Sequence, residues 1–216
     1  MSKMPIATQP KRMTIKQYTA YDLPYSHNAL EPYIDAETMK IHHDVLYVKY
    51  TDKMNEAYLK NSENSDILQI LEDCNSHSFP MALVNNGGGY VNHSMLWHFL
   101  KPNEGGKIHL PYGASKGLIE RDFESVDAFL NIIEEEVVNL FGSGWVWWMM
   151  DAEGNTSIAS MKNQDNPYMI KEYPLWGIDV WEHAYFLKYK TNRKEYLNKL
   201  LHVTNWGYVN KRIQLA

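Results

Sequence analysis

Apolar and polar residues in the first half of the chain repeat with the period of amphipathic helices. A first helical pattern covers residues 35–60, with Asp35 as a suitable N-cap and an apolar side formed by Ile41, Val45 and Val48. A second pattern covers residues 78–100 and carries Pro80 in its first turn, where proline is tolerated. A polar turn over residues 61–65 separates the two, so the sequence predicts a helical hairpin.

Glycine and proline mark the end of this hairpin. Residues 102–113 contain four of them beyond Pro102 itself, which predicts a linker. After the linker, Ser115 and Ser125 are typical N-caps and predict two helices. The second of these helices is expected to end near Phe141.

Strand patterns follow. Residues 145–151 and 157–162 are apolar or alternating runs on either side of Glu153-Gly154-Asn155, which is a signal for a β-hairpin. Residues 173–180 are a third candidate strand.

Helices are expected to resume after His183, with Thr191 or Asn192 as a cap. The whole pattern predicts an α+β protein with three parts. Residues 1–20 would be a disordered or extended tail, residues 21–102 a helical hairpin lobe, and residues 103–216 an α/β lobe.

Composition and charge exclude several kinds of partner. Hydrophobic residues make up 44% and charged residues 22% of the 216 residues, as in ordinary globular proteins. The formal net charge is −5 and no block of lysine and arginine runs through the chain, so no nucleic acid and no anionic membrane surface is expected as a partner. No apolar stretch approaches the roughly 20 residues that a membrane-spanning helix needs.

Cys74 is the only cysteine, so an intrachain disulfide is excluded and a reducing compartment suits the chain. We therefore expect a cytoplasmic protein. An organelle-targeting peptide in the basic segment Met1–Arg12 is the alternative, although that segment lacks an apolar core. A multi-cysteine metal site is excluded as well, so any metal ion must rely mainly on histidine and carboxylate ligands.

Two candidate ligands are adjacent in the first predicted helix. His42 and His43 would point about 100° apart on an α-helix, so we expect one metal ion to take only one of them. Leu46 and Tyr50 lie on nearly the same face as His42, which puts a phenol about two turns from the imidazole. The alternative interpretation is a capped helix with two partly exposed histidines.

His93 lies in the second predicted helix, four residues after Gly89. A glycine inside a helix costs about 1 kcal/mol relative to alanine, so the run Gly87-Gly88-Gly89 needs a reason. The run leaves space either for another group beside His93 or for close packing of a neighbouring helix. This segment alone does not choose between the two.

Asp179 and His183 form a D-x-x-x-H pair at the end of the third candidate strand. A carboxylate leaving a strand and an imidazole one turn later can converge on one point, around a metal ion or in a plain salt bridge. With two further histidines the set holds three imidazoles and one carboxylate. Such a set is compatible with manganese, iron or zinc.

Seven short strings in the sequence resemble one known family, in the order that is typical of it. They are Leu23-Pro24-Tyr25, Ala29–Asp35, Met39–His43, Asn92-His93-Ser94, Phe141–Trp145, Asn163-Gln164-Asp165 and Asp179–Tyr185. The last string, Asp-Val-Trp-Glu-His-Ala-Tyr, is the most specific. Nearly all of the chain after Tyr21 therefore resembles the iron/manganese superoxide dismutases, which convert superoxide into dioxygen and hydrogen peroxide.

The resemblance implies one manganese or iron ion per subunit between the two lobes, with bound solvent as the fifth ligand of a trigonal bipyramid. It assigns four protein ligands by matched position: His42, His93, Asp179 and His183. Tyr50 and Gln164 match a pair that carries hydrogen bonds to the bound solvent, and Arg193 matches a basic residue near the entrance that attracts superoxide. The matched aromatic wall consists of Trp145, Trp147 and Trp181.

The resemblance also implies a homodimer, with a tetramer as the alternative. Glu182 matches a carboxylate that reaches a metal-binding histidine of the partner subunit. A glutamine at Gln164 facing a glycine at Gly89 is typical of the manganese enzymes, and Gly177 indicates the same metal. We therefore expect manganese, with iron as the alternative, and we expect Gln164 to fill the space beside Gly89 and contact Tyr50.

Two positions depart from the family pattern. The family usually has a histidine at Leu46 and a tyrosine at Phe186, and these two side chains are hydrogen-bonded across the dimer interface. Removing one partner would strand a polar group at a cost of about 1–3 kcal/mol, whereas replacing both can be nearly neutral. We therefore expect an apolar contact between Leu46 and Phe186 across the interface, without the proton relay usually given to that histidine.

Two other functions would use the same residues. A dismutase-like scaffold protein that has lost catalysis is expected to show broken ligands or added basic tails, whereas all four matched ligands are present. A non-redox zinc hydrolase would need a positioned glutamate base such as that of His-Glu-x-x-His, which the sequence lacks.

Overall fold

The structure is a computed structural model that describes residues 18–60 and 65–216. The predicted tail and the predicted targeting segment lie almost entirely outside these residues, as does the polar turn over 61–65. The α+β class is confirmed, with helices before the linker and one sheet with helices after it. None of the helices in the described part of the chain is long and apolar enough to cross a membrane.

Within residues 18–60 and 65–101, five elements come before the linker: α1 (Ala36–Lys40), a π-helical segment (Ile41–Tyr47), α2 (Val48–Lys60), α3 (Ile67–Asp73) and α4 (Met81–Phe99). The elements after it are α5 (Ala114–Phe123), α6 (Val126–Asn139), β1 (Gly144–Met150), β2 (Thr156–Lys162), a 3-10 turn (Pro167–Ile170), β3 (Tyr173–Asp179), α7 (Glu182–Tyr189), α8 (Arg193–Leu200) and α9 (Trp206–Leu215). The short helix α3 was not predicted, because its seven residues are too few for a clear helical period.

The first predicted helix forms, but a π-helical segment interrupts it. Asp35 is its N-cap as expected, and its carboxylate accepts a hydrogen bond of 2.8 Å from the backbone N–H of Thr38. The predicted apolar side is wrong, because Ile41 is 38% and Val45 56% exposed. The wider turn of a π-helix rotates the residues that follow it. The buried side of the segment therefore carries His42, His43 and Tyr47.

Of the two N-caps predicted after the linker, one is confirmed and one is wrong. Ser125 caps α6 by accepting a hydrogen bond of 3.1 Å from the backbone N–H of Ala128, which confirms that prediction. Ser115 is not a cap, because α5 already begins at Ala114 and the Ser115 hydroxyl donates to the carbonyl of Tyr112 at 2.8 Å. The start of α5 depends instead on Gly113, whose φ of +59° is a conformation that favours glycine.

The three predicted strands form one antiparallel sheet in the order β2-β1-β3. The turn between β1 and β2 contains Gly154 at a φ of +83°, as the hairpin signal indicates. On the other side of β1, Trp145 pairs with Asp179 and Trp147 pairs with Gly177. This register puts the carboxyl end of β3 beside the tryptophans at the start of β1.

The two lobes share one hydrophobic core. The π-helical segment and α2 pack antiparallel to α4, and α4 packs against β3 of the second lobe. The largest fully buried side chains of this core include six tryptophans: Trp97, Trp145, Trp147, Trp148, Trp176 and Trp206. Aromatic side chains contribute much of the burial energy of a core, so these rings hold the lobes together. The division of the chain at residues 102 and 103 stays a prediction.

The close contact between Gly177 and Trp147 leads to the first testable prediction. A Cβ atom at Gly177 would overlap the six-membered ring of Trp147, so Gly177→Ala is expected to lower the free energy of unfolding by about 1–3 kcal/mol. The matched control is Gly117→Ala on the exposed side of α5, where a Cβ has no neighbour within 4 Å among the described residues. That control is expected to gain about 0.5–1 kcal/mol. Chemical denaturation measures both, and equal effects would contradict the packing argument.

Candidate metal centre

Four side chains converge where the two lobes meet: His42, His93, Asp179 and His183. Their ligand atoms all lie within 4.8 Å of one another. Asp179 Oδ2 is central, at 3.1 Å from His42 Nε2, 3.7 Å from His93 Nε2 and 3.1 Å from His183 Nε2. Neighbouring ligands of one ion bound at about 2.0–2.2 Å are roughly 3–3.6 Å apart, so these atoms are spaced to hold a single ion.

Each of the four side chains comes from a different element. His42 lies in the π-helical segment, His93 in α4, Asp179 at the end of β3, and His183 in the first turn of α7. The antiparallel packing of the first helices brings the His42 and His93 rings to 4.9 Å between centroids. Because α7 begins three residues after β3 ends, His183 turns back towards Asp179.

Hydrogen bonds orient the ligand atoms towards the centre of the cluster. His93 Nδ1 donates to the carbonyl of Gly89 at 2.7 Å, which leaves the lone pair on Nε2 facing inwards. The backbone N–H of Trp181 donates to Asp179 Oδ1 at 2.9 Å, so the other oxygen is directed at the histidines. Neither His42 Nε2 nor His93 Nε2 has a hydrogen-bond partner among the described residues. Two buried lone pairs without a donor are what a bound cation would satisfy.

The charges of the cluster also fit a cation. Burial lowers the pKa of His42 to about 4 and that of His93 to about 3, so both rings are neutral at pH 7. Burial alone would raise the pKa of Asp179, but His183 and His42 outweigh it and hold that pKa below its ordinary value. The neutral rings of His42 and His93 and the carboxylate of Asp179 therefore suit manganese or iron, both of which accept such ligands.

Gln164 links Tyr50 to Trp145 and Asn92 beside the cluster. Its Oε1 accepts hydrogen bonds from Trp145 Nε1 at 3.0 Å and from Asn92 Nδ2 at 3.1 Å, and its Nε2 donates to the Tyr50 hydroxyl at 3.1 Å. Because an indole N–H can only donate, the oxygen of Gln164 must face Trp145 and its NH₂ group must face Tyr50. The expected contact between Gln164 and Tyr50 is therefore present.

The glycine run Gly87-Gly88-Gly89 makes space for three different neighbours. A Cβ at Gly87 would lie 2.6 Å from Ile67 Cδ1 in α3, and one at Gly89 would lie 2.5 Å from Tyr50 Cδ1. The expectation that Gln164 fills the space beside Gly89 is therefore wrong. The ring of Tyr50 crosses from the facing helix into that space, and the backbone carbonyl of Gln164 lies against Gly88 instead. Both reasons considered for the run apply, since one glycine serves helix packing and another serves the site.

The three tryptophans predicted as an aromatic wall all lie around the cluster. Trp145 meets the His93 ring edge-on at 5.4 Å between centroids, and Trp147 stacks on Trp145 at 5.3 Å. Trp181 stacks on His183 at 5.4 Å, and its Nε1 donates to a backbone carbonyl, that of Asn163.

Sequence reasoning did not assign three residues that support the site. Trp97 meets the His42 ring edge-on at 5.1 Å, and its place one turn after His93 on the same helix face was the available signal. Asn92 and Asn166 are fully buried and hydrogen-bonded to each other at 2.9 Å, and Asn92 also donates to both oxygens of Gln164. The pairing of the two asparagines depends on a contact across 74 residues, which no local pattern indicates.

Arg193 lies at the start of α8 and is partly buried. Its Nε donates to the Tyr185 hydroxyl at 3.0 Å, its Nη2 to the carbonyl of Gly142 at 2.6 Å, and its Nη1 to the carbonyl of Leu140. A longer bond of 3.4 Å reaches the carbonyl of Val180, next to the candidate ligand Asp179 in the chain. The guanidinium thus connects the turn before β1 to the segment after β3.

The residues assigned to the subunit interface are accessible in the single chain. Glu182 and Phe186 lie on the exposed side of α7, and 41% of Phe186 is accessible. Leu46 is half-buried in the π-helical segment. His43 is not part of the cluster, because its ring is directed at Asp44 and at the carbonyl of Tyr21.

Asn92 generates the second testable prediction. Asn92→Ala would leave the Gln164 carbonyl and the Asn166 amide without a partner, so the free energy of unfolding is expected to fall by about 2–4 kcal/mol. The control is Asn86→Ala in the same helix, where the half-buried side chain bonds, among the described residues, only to the carbonyl of Ala82. Its effect is expected to stay within about 0.5 kcal/mol. Denaturant unfolding measures both changes, and a similar small loss in the two variants would show that the Asn92 contacts carry little energy.

Comparison with known proteins identifies the family. Two family models match the chain: the alpha-hairpin domain of iron/manganese superoxide dismutases over residues 17–101, and the C-terminal domain of the same family over residues 111–212. Manganese superoxide dismutase 3 of Leptolyngbya boryana is 39% identical over 216 residues, which covers 98% of this chain and 89% of that protein.

Two further relatives are similar over most of their length. Manganese superoxide dismutase 1 of Leptolyngbya boryana is 43% identical over 201 residues, covering 90% of this chain and 79% of that protein. The manganese/iron superoxide dismutase of Methylomonas sp. strain J is 39% identical over 202 residues, covering 92% of this chain and 98% of that protein. With both domains matched and such relatives over nearly its whole length, this chain belongs to the iron/manganese superoxide dismutase family.

Proposed function

We propose that this protein is a superoxide dismutase in which His42, His93, Asp179 and His183 hold one manganese ion, with iron as the alternative metal. The observation that carries this proposal is a fully buried carboxylate facing three imidazoles, two of which have a lone pair without a donor among the described residues. Family membership supports it, and so do the manganese and manganese/iron names of the relatives.

When bound, the metal ion supplies a one-electron change of oxidation state, by which one superoxide is oxidised to dioxygen and the next is reduced to hydrogen peroxide. The chain contributes ligand charge and orientation. Asp179 supplies one negative charge in the interior, and the neutral rings of His42 and His93 supply lone pairs without adding a positive charge. This combination favours a cation at the centre of the cluster.

Hydrogen peroxide formation needs two protons, and Tyr50 is the proposed donor nearest to the ligands. Burial raises the pKa of Tyr50, the hydrogen bond from Gln164 opposes this, and the charge of Asp179 adds to the rise. The raised pKa keeps the phenol protonated throughout the neutral range. Because Gln164 Nε2 already donates to its oxygen, Tyr50 can direct its own O–H elsewhere, and its half-buried position lets solvent replace the proton.

Gln164 is the proposed reason for a preference for manganese. Its amide is held by Trp145 and Asn92 on one side and Tyr50 on the other, so it cannot turn away from the pocket without breaking three hydrogen bonds. A fixed donor at this point tunes both the redox potential and the proton affinity of the centre. Arg193 contributes a positive charge near the entrance that would attract the superoxide anion.

We also propose a homodimer, with a tetramer as the alternative, in the cytoplasm. Glu182 is exposed on α7 next to His183, so it can reach a metal-binding histidine of the partner subunit. Two partly exposed apolar side chains, Leu46 and Phe186, would meet across the same interface. The single cysteine, Cys74, supports a reducing compartment.

The third testable prediction concerns the ligands. His93→Ala is expected to reduce bound metal at least about tenfold and to abolish dismutation, because one of four ligands is lost. The control is His98→Ala, since His98 is exposed on the same helix and lies outside the cluster. Metal content and activity are measured after reconstitution with manganese and with iron separately, and the manganese form is expected to be the more active. Full activity in His93→Ala would refute the ligand assignment.

The fourth prediction concerns Leu46 and Phe186. Leu46→His alone is expected to gain nothing for dimer stability, because its polar partner is missing. Combined with Phe186→Tyr, it should couple favourably by about 0.5–1.5 kcal/mol in a double-mutant cycle on the dimer dissociation constant. The control pair is Leu46→His with Leu187→Tyr, which places a phenol on the next exposed residue of α7. Zero coupling in the first pair would mean that the two departures from the family pattern are independent.

A further inference from the structure

We propose that His27, His43 and Asp44 form a second metal site, at the surface, that takes a divalent cation of the zinc class. Their three ligand atoms lie within 4.8 Å of one another. His27 Nε2 is 3.1 Å and His43 Nδ1 is 2.7 Å from the same oxygen, Asp44 Oδ1. This cluster shares no residue with the four-residue cluster of His42, His93, Asp179 and His183. The proposal of a second site therefore does not depend on the proposed function.

The spacing fits a tetrahedral ion. Zinc bound at about 2.0–2.1 Å separates its ligand atoms by roughly 3.3 Å. The distances of 3.1 Å and 2.7 Å to Asp44 Oδ1 therefore need to lengthen by roughly 0.2 Å and 0.6 Å. Two imidazoles and one carboxylate are donors that zinc accepts, and solvent would complete the coordination. Manganese and iron have lower affinity than zinc for such donors in general.

The ring of His43 is already oriented for this role. Its Nε2 faces the backbone carbonyl of Tyr21 at 2.8 Å, and a carbonyl can only accept. Metal-bound histidines typically donate their other ring N–H to such a group, which leaves the lone pair of Nδ1 for the ion. The ring is buried against Trp97 and Tyr47, at 5.2 and 5.6 Å between centroids, so it cannot swing away easily.

The other two ligands are held by local structure and remain open to solvent. His27 lies in a turn closed by hydrogen bonds from Ala29 N to Ser26 O at 2.9 Å and from Ser26 Oγ to Asn28 Oδ1 at 2.8 Å. The side chains of His27 and Asp44 are 41% and 40% exposed, so an ion can enter without any unfolding. Two separate segments, the turn and the π-helical segment, thus meet at one open site with its donors converging.

The test is calorimetric titration of the full-length, manganese-reconstituted protein with Zn²⁺ at pH 7.5 in a buffer that does not chelate metals. We expect one additional Zn²⁺ per chain, with the manganese content unchanged by elemental analysis. His27→Gln and Asp44→Asn should each weaken zinc binding at least about tenfold. The control is His77→Gln, an exposed histidine outside the cluster, which should bind zinc like the unchanged protein.

X-ray absorption at the zinc edge provides a second readout. It should show two imidazoles and oxygen ligands at about 2.0–2.1 Å in the unchanged protein, and one imidazole fewer in His27→Gln. Three results would each overturn the proposal: no additional zinc, zinc uptake matched by loss of manganese, or equal zinc affinity in His27→Gln, Asp44→Asn and His77→Gln. In the first case the two histidines serve only as hydrogen-bond partners of Asp44.

Discussion

A carboxylate with no exposed surface, Asp179, is the constraint around which this protein is organised. An ionised carboxylate in a protein interior costs several kcal/mol unless hydrogen bonds and opposite charge compensate it. The N–H of Trp181 compensates one oxygen, and the histidines from three other elements surround the second. A cation at that point would balance the negative charge and use the two lone pairs that lack donors.

The surroundings of this carboxylate join the two lobes through hydrogen bonds. Gln164 comes from the second lobe, yet its side chain is bonded to Asn92 and Tyr50 of the first. Gln164 and Asn92 are buried, so each bond between them that breaks would leave an unsatisfied group in a region of low dielectric constant. The stacked tryptophans around the network exclude water and strengthen that penalty. Ligand geometry and lobe packing therefore depend on each other.

The neighbouring residues His42 and His43 show how a π-helical segment can direct two adjacent side chains at different groups. Both imidazoles are buried, but one faces the interior cluster and the other faces Asp44 at the surface. The wider π turn lets two adjacent polar rings be accommodated on the buried side of one helix. The aliphatic residues Ile41 and Val45 are turned towards solvent as a result.

The sequence by itself determined the class of the fold, the order of the elements and the four side chains that converge. Those features depend on local patterns, such as the Asp35 and Ser125 caps, the hairpin around Gly154 and the short strings that carry the family resemblance. Only the tertiary structure decided which group fills the space at Gly89, how Asn92 pairs with Asn166, and where His43 points. These contacts join residues far apart in the chain, and their energies come from burial and hydrogen bonding that exist only after the lobes have packed. A local pattern can indicate that space exists beside a glycine, but it cannot tell which distant side chain will occupy it.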